Sequence, residues 1–284
     1  MKFVRRHILT VVAMLVLVYL FIPIAVIGAL SFNDPPSKYN TKWYGFSVDA
    51  WTNMCGIPGV CESFLESIKI GLISTFVATV LGTMVAFALV RYRFRGRKST
   101  SLLIFLPMAT PEVVMGSSLL ALFLNLTFPL GVTTVIIAHI MFTISFVVVA
   151  VKARLQGLDQ SLEEASRDLY ANSSATFRYV TFPLVAPGIA GAALLGFALS
   201  FDDFIISFFN AGTLVTFPIY VWGAAQRGIP VQVNALATLV FIVALTIVLV
   251  AQFVAWRKRK FLQASTAERD ADLKALSMDA FSRS

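Results

Sequence analysis

The chain of 284 residues is strongly apolar: hydrophobic residues make up 58% of it, charged residues only 13%, and the mean hydropathy is +0.81. Because a soluble domain has about 25% charged residues, this composition excludes an ordinary soluble protein and indicates a membrane protein. The net charge of +8 is not gathered into a basic patch interleaved with exposed aromatic residues on a soluble domain. We therefore predict no nucleic-acid partner.

Six apolar stretches are long enough to cross a bilayer as helices, which takes about 20 residues each. In chain order they cover residues 8–32, 64–90, 102–124, 130–151, 184–209 and 233–256. None shows the alternation of apolar and polar residues that is typical of transmembrane β-strands. The predicted fold class is therefore all-α, a polytopic membrane protein with about six transmembrane helices.

Lysine and arginine set the orientation, because cytoplasmic loops retain positive charge. The basic residues cluster before the first stretch, after the second and after the sixth: Lys2, Arg5, Arg6, Arg91, Arg93, Arg95, Arg97, Lys98, Arg257, Lys258, Arg259 and Lys260. The opposite loops contain only Lys38, Lys42 and Arg227. We predict a multi-pass protein of the inner, cytoplasmic membrane with both termini in the cytoplasm, its positive loops attracted to anionic lipid heads.

The two cysteines, Cys55 and Cys61, lie in the first outer loop, where glycine and proline residues between them permit a tight reversal. A disulfide can persist outside the cytoplasm. We predict a bond between them; the alternative is two free thiols that only pack.

No catalytic or metal-binding set is visible in the sequence. There is no Gly-x-x-x-x-Gly-Lys-Ser/Thr run to bind ATP phosphates, and the two histidines, His7 and His139, lack cysteine or carboxylate neighbours at ligand spacing. We expect His139 to pack against a neighbouring helix. The chain is predicted not to be an enzyme and to hold no metal or cofactor, so the energy for any transport must come from a partner.

A charged helical segment interrupts the apolar chain at residues 163–172. Glu163 and Glu164 stand at its start, where the helix dipole favours carboxylates, while Leu162, Ala165 and Leu169 form a narrow apolar face at helical spacing. Such a segment is too polar for lipid. We predict a docking element for a soluble partner, with a solvated connector as the alternative.

The residues in and after this segment resemble the cytoplasmic EAA loop of permeases from ABC importers. The matching positions are Glu164, Ala165, Ser166, Ala171, Ser173, Phe177, Val180, Phe182, Pro183, Pro187, Gly188 and Ile189. Residues 91–96, 200–203 and 233–238 are similar to those of permeases from spermidine/putrescine importers. Two positions depart from the pattern, because Ser166 replaces the usual alanine and Tyr170 replaces a glycine at which the helix bends.

The resemblance implies a type I importer fold with a permease domain over residues 1–260, a coupling loop at 157–183 and a cytoplasmic tail at 261–284. The mixed composition of that tail predicts a mobile segment. The implied partners are a second permease subunit in a heterodimer, two copies of an ATPase that bind ATP and Mg²⁺, and an extracytoplasmic substrate-binding protein. The residues implied to couple to the ATPase are Glu163, Glu164, Ala165, Ser166, Leu169, Tyr170 and Ala171.

Asp202 and Asp203 lie within the fifth apolar stretch, where an acidic residue costs about 2.5–3.5 kcal/mol on insertion scales. Neighbouring helical positions differ by about 100°, so we expect one carboxylate to line the substrate path and the other to meet a neighbouring helix. Together with Phe201 and Phe204, they suit a protonated amine through charge pairing and cation–π attraction. The alternative is that both acids only hold helices together or cap a helix break.

Glu112 is a second acid within an apolar stretch, next to Pro111 and close to Pro107. The two prolines predict a kink in the third span. Glu112 either lies by the path or satisfies groups that the kink releases.

The function predicted is that of a permease subunit of an ATP-driven ABC importer, which passes spermidine or putrescine into the cytoplasm by alternating access. The alternative is an importer for a sugar, an amino acid or an anion. An anion would favour basic groups or helix N-termini in the path, whereas Asp202 and Asp203 are acids. A polytopic membrane enzyme is disfavoured, since no catalytic motif faces this pair.

Overall fold

A computed structural model describes residues 2–37, 39–159 and 161–282 of the chain, with the side chains of 8–37, 39–159, 161–254 and 256–257. Lys38, one of the basic residues predicted for the outer loops, lies outside this set, as do residues 283–284 of the predicted tail.

The described residues form twelve α-helices and a short π-helical segment, Phe177–Thr181. The helices are α1 (Lys2–Leu30), α2 (Asp49–Thr52), α3 (Val60–Arg91), α4 (Arg97–Ala109), α5 (Glu112–Asn125), α6 (Val132–Gln156), α7 (Ser161–Asp168), α8 (Ser173–Thr176), α9 (Phe182–Asp202), α10 (Ile205–Asn210), α11 (Phe217–Arg227) and α12 (Val231–Ser282). Across these residues the β-type pairing is limited to an isolated bridge between Asn33 and Phe46. The all-α prediction is confirmed.

Among the described residues, five helical segments are long and apolar enough to cross a membrane: Ile8–Leu30, Val60–Arg91, Val132–Gln156, Ser173–Asp202 and Val231–Val254. The number is six when the pair α4 and α5, which meet at an angle of 106°, is counted as one span. The prediction of about six spans is thus confirmed, and the chain is a multi-pass membrane protein.

The third predicted span, 102–124, is not one kinked helix but two helices with a sharp break between them. Pro111 disfavours the helical conformation of the residue before it, and Thr110 is extended, with ψ 133°. The fifth predicted span, 184–209, is also interrupted, because α9 ends at Asp202 and α10 begins at Ile205. Both breaks fall inside apolar segments.

The chain divides into two compact units, one made of Met1–Met54 with Pro230–Ser284 and the other of Cys55–Ile229. In the first unit, α1 packs on α12, with the rings of Phe21 and Phe241 edge to face at 6.4 Å. The Asn33 side chain organises the loop after α1: its Nδ2 donates to Lys42 O and its Oδ1 accepts from Tyr44 N. The helix α12 extends past the predicted span into residues 261–282, and the mobility of that tail stays a prediction.

The core of the second unit is formed by α3, α6 and α9. Val147, Val148 and Val151 of α6 are buried against Ala86 and Leu89 of α3. Association of helices in a membrane depends on close van der Waals packing, for which small residues allow backbones to approach. Gly196 of α9 and Gly82 of α3 serve this purpose, since a Cβ on either would overlap side-chain atoms of α6.

A disulfide joins Cys55 and Cys61 at the start of this unit, with their Cα atoms 5.3 Å apart. Just beyond it on α3, Lys69 Nζ lies 3.4 Å from Glu66 Oε1, an exposed pair three residues apart. Such surface pairs contribute little to stability.

The helix α7 ends in a Schellman motif, the hydrogen-bonding pattern in which a residue in left-handed conformation closes a helix. Tyr170 N donates to Arg167 O at 2.9 Å, and Ala171 N donates to Ser166 O at 3.1 Å. Tyr170 itself has φ 62°. The tyrosine therefore holds the left-handed backbone that glycine adopts without steric cost, so the turn is retained despite the substitution.

Adding a single methyl group at Gly196 should destabilise the packing of α9 on α6. Its carbon would lie 2.7 Å from Thr143 Cγ2, and overpacking of this kind costs about 1–3 kcal/mol. We expect Gly196→Ala to lower the midpoint of thermal unfolding of the detergent-solubilised protein. The matched control is Gly191→Ala on the same helix, whose new carbon meets nothing within 4 Å; equal midpoints for the two variants would contradict the close contact.

Replacing Tyr170 by glycine should stabilise the end of α7. The left-handed conformation costs an L-residue about 1–2 kcal/mol that glycine does not lose. We expect slower amide hydrogen exchange at Ala171, the donor of the closing bond, in Tyr170→Gly, and faster exchange in Tyr170→Val, whose branched Cβ tolerates this conformation poorly. The opposite order would show that the turn does not depend on residue 170.

Candidate functional site

The two helix breaks bring three acidic residues together. Asp202 is the last residue of α9, Asp203 follows it, and Glu112 begins α5. The helices concerned are in direct contact, because α10 packs on α5 and Asn210 Nδ2 donates to Gly116 O at 3.3 Å. The predicted path acids thus form one cluster.

Within this cluster the two aspartates have different surroundings. Asp203 is 8% exposed, and its carboxylate accepts hydrogen bonds from Ile206 N at 3.3 Å and Ser207 N at 2.8 Å. It therefore caps α10, where the first backbone N–H groups have no partner within the helix. Asp202, in contrast, is exposed.

Aromatic residues stand on either side of the two aspartates in the sequence, Phe201 before Asp202 and Phe204 after Asp203. Phe201 packs edge to face against Phe64 at 5.8 Å between ring centroids. Phe204 lies 5.1 Å from the indole of Trp222 and 5.4 Å from Phe208. The contact between Phe204 and Trp222 has no signal in the local sequence, because the two residues lie on different helical segments and meet through the packing of α11.

A buried polar network is a second feature that the sequence did not predict. His139 of α6 is 2% exposed and contacts Ser200, Asp203 and Ser207. The sequence does contain one indication of this network, which is the histidine itself. A buried polar side chain in an apolar helix requires hydrogen-bond partners.

The inner face of α7 is bound to the rest of its own chain. Glu163 Oε1 accepts a hydrogen bond from the Arg91 guanidinium at the end of α3, and a second from Thr181 Oγ1 at 2.7 Å. One turn along, Ser166 Oγ lies 2.9 Å from Thr176 Oγ1. Glu163 and Ser166, both expected among the residues that couple to a partner, are thus engaged inside the chain, and Glu164 is the outward acid.

The outer face of α7 is exposed and partly apolar. Leu169 is 82% exposed and Tyr170 98%, next to exposed Leu162, Glu164 and Ala165. Ala171, the remaining predicted coupling residue, is half-buried. Exposed large apolar side chains gathered on one short helix and on the turn that follows it are typical of a contact surface.

Asp159 stabilises the start of α7. Its Oδ1 accepts from Ser161 N at 2.9 Å, and the hydrogen bonds with Ser161 hold the pKa of the Asp159 carboxyl below its ordinary value. Because the folded-state pKa is lowered, this contribution is present above the ordinary pKa and is lost as the pH falls through the folded-state value. The helix is therefore anchored at both ends at neutral pH.

Among the residues with described positions, no group of three or more His, Cys, Asp or Glu side chains is arranged to hold a metal ion.

Comparison with known proteins places most of the chain in one family. Residues 78–263 match the model of the family described as binding-protein-dependent transport system inner membrane component. This segment includes α7, both helix breaks and the acidic cluster.

Curated relatives cover nearly the same length. The chain is 35% identical over 243 residues to the spermidine/putrescine transport system permease protein PotC of Escherichia coli strain K12, which covers 85% of this chain and 91% of the relative. It is 33% identical to PotC of Haemophilus influenzae over 83% of this chain and 91% of the relative. It is 34% identical to the putrescine transport system permease protein PotI of Escherichia coli strain K12 over 87% and 88%.

Solved structures share the fold at low sequence identity. A bacterial ABC transporter involved in the import of the acidic polysaccharide alginate matches with a TM-score of 0.61 at 17% identity, over 88% of this chain and 95% of that chain. The MetNI methionine ABC transporter matches with a TM-score of 0.55 at 16% identity, over 66% and 90%. With its family match, its full-length relatives and its shared fold, this multi-pass chain belongs to the binding-protein-dependent transport system inner membrane components.

Proposed function

We propose that this chain is the permease subunit of an ATP-driven importer that passes spermidine or putrescine into the cytoplasm. The observation that supports this most is the placement of Asp202 and Glu112 in one cluster at two helix breaks, in a chain with 33–35% identity to permeases of spermidine and putrescine transport systems.

The chemistry of the cluster suits an organic polycation. Asp202 and Glu112 are both exposed, so two carboxylates are accessible to a molecule with two or more ammonium groups. Phe201 and Phe204 flank Asp202 and retain partial exposure; aromatic faces attract ammonium groups and do so more strongly where water is excluded. The methylene chain of a polyamine can lie on the same rings.

The outer face of α7 is the proposed contact with a partner ATPase, which binds the ATP and Mg²⁺. Leu162, Ala165 and Leu169 fill its groove, and Glu164 pairs with a basic residue there. Because Glu163 is bonded to Arg91, a displacement of α7 by the ATPase also pulls on the end of α3. Nucleotide-driven motion thereby reaches a helix of the transmembrane core.

The proposed assembly contains a second permease subunit, as a heterodimer, two ATPase copies and an extracytoplasmic binding protein that delivers the substrate. It resides in the inner membrane with both termini of this chain in the cytoplasm. The excess of basic residues in the α3–α4 loop and at residues 257–260 supports this orientation. The family's description as binding-protein-dependent supports the binding protein as a partner.

The substrate class is tested by ATPase stimulation in the reconstituted importer. We expect spermidine or putrescine, delivered by the binding protein, to stimulate hydrolysis, because bound substrate favours closure of the ATPase pair. Sugars, amino acids and anions serve as comparison substrates, each added at the same concentration as the polyamine. Stimulation by one of these and by no polyamine would assign the importer to another solute.

Neutralising Asp202 should weaken transport without loss of the subunit. Removal of one ion pair to a charged ligand costs about tenfold in affinity, so we expect Asp202→Asn to raise the KM for spermidine uptake by about that factor, and Glu112→Gln to raise it less. Glu66→Gln, an acid paired with Lys69 on the outer part of α3, is the control. Normal uptake by Asp202→Asn would remove this carboxylate from the path.

Reversing the charge of Glu164 should abolish uptake while the subunit stays in the membrane. The lysine would repel the basic residue proposed on the ATPase, and unpaired like charges at an interface cost several kcal/mol, about a thousandfold in affinity. The measurement is uptake together with co-purification of the ATPase. Glu62→Lys, the same change at the far end of α3, should leave both intact; full uptake in Glu164→Lys would exclude docking through α7.

A further inference from the structure

His139 is held from both of its ring nitrogens in the interior of the second unit. Nδ1 lies 2.6 Å from Ser200 Oγ, and Nε2 lies 3.2 Å from Asp203 Oδ2 and 3.0 Å from Ser207 Oγ. The side chains of His139 and Asp203 are 2% and 3% exposed. The imidazole thus bridges the end of α9 and the start of α10.

The same network reaches a third core helix. Ser200 Oγ lies 2.9 Å from Ser74 Oγ on α3, and Ser74 Oγ donates to Ile70 O at 2.7 Å. One continuous set of polar contacts therefore joins α3, α6, α9 and α10 at the break in the fifth span.

The direction of the hydrogen bonds follows from what each group can do. A carboxylate only accepts, and Asp203 already accepts from two backbone N–H groups of α10. Nε2–H therefore donates to Asp203, and Nδ1 is left to accept from the Ser200 hydroxyl. In this tautomer both the imidazole and the Asp203 carboxylate have hydrogen-bond partners.

Asp203 is also the point at which the backbone leaves α9, with φ −66° and ψ 118°. Its side chain is fixed by α6 and by the start of α10, so its backbone has little freedom to rotate. Asp202 is bonded directly to it and ends α9. The direction in which the Asp202 carboxylate is presented is therefore set one residue away, by a buried anchor.

We infer that His139 is a positioning residue for substrate passage: it holds Asp203 at the break between α9 and α10 and thereby orients Asp202 toward the cation. The inference rests on the proposed function, because it assigns the Asp202 carboxylate to the path. His139 itself does not touch the substrate.

The test is a double-mutant cycle between His139 and Asp202 in the complete importer, with the KM for spermidine uptake into proteoliposomes as the readout. We expect His139→Leu to raise KM about tenfold, the effect of losing a hydrogen bond to a charged group. His139→Gln keeps a donor toward Asp203 and should restore most of the affinity. In the Asp202→Asn background, His139→Leu should add no further rise.

Thr143→Val is the matched control, since Thr143 lies one turn along α6, is buried, and its hydroxyl has no hydrogen-bond partner among the described atoms. It should leave KM unchanged. A milder variant, Ser200→Ala, removes the partner of Nδ1 and the contact with Ser74 but keeps the bond from His139 to Asp203. It covers the case in which His139→Leu fails to accumulate. It should raise KM less than His139→Leu, again with no further rise beside Asp202→Asn.

If the effect of either variant multiplies fully with that of Asp202→Asn, the residue acts independently of Asp202 and the inference is overturned. An unchanged KM in His139→Leu would overturn it as well. If Asp202→Asn alone leaves KM unchanged, the proposed path is what fails, and the two failures are thus distinguishable.

Discussion

A break in a helix leaves backbone N–H and C=O groups that must find partners outside the helix, and the fifth predicted span of this protein is broken between Asp202 and Ile205. The chain meets the requirement with Asp203, whose carboxylate accepts from the first N–H groups of α10. Within a membrane, non-helical backbone is tolerated only where protein or a water-lined cavity surrounds it. The capped break is therefore the point around which the acids, the aromatic rings and the network of His139 are arranged.

The same division between a paired and an exposed acid occurs at two places in the second unit. At the break, Asp203 and His139 are buried and paired within the chain, while Asp202 is exposed beside them. At α7, Glu163 is paired with Arg91 and Glu164 is exposed. In both places one of two adjacent acids is bound within the chain, and its neighbour remains accessible to another molecule.

Composition alone was enough to predict the membrane class, the helical fold and the approximate spans, because about 20 apolar residues without charge have few other stable arrangements. Pro107 and Pro111 predicted a kink, but not a bend of 106°, since its size depends on the packing of α5 against α10. His139 and Asp203 lie 64 residues apart, and no local pattern links them. The inward direction of Glu163 likewise depends on Arg91, 72 residues away.

The disulfide between Cys55 and Cys61 closes a small ring immediately before the second span, and Cys61 is already the second residue of α3. A ring of this size restricts the unfolded chain only modestly, so its effect is local: it fixes the backbone where the helix begins. Reduction of the bond would therefore leave the beginning of α3 without this restraint.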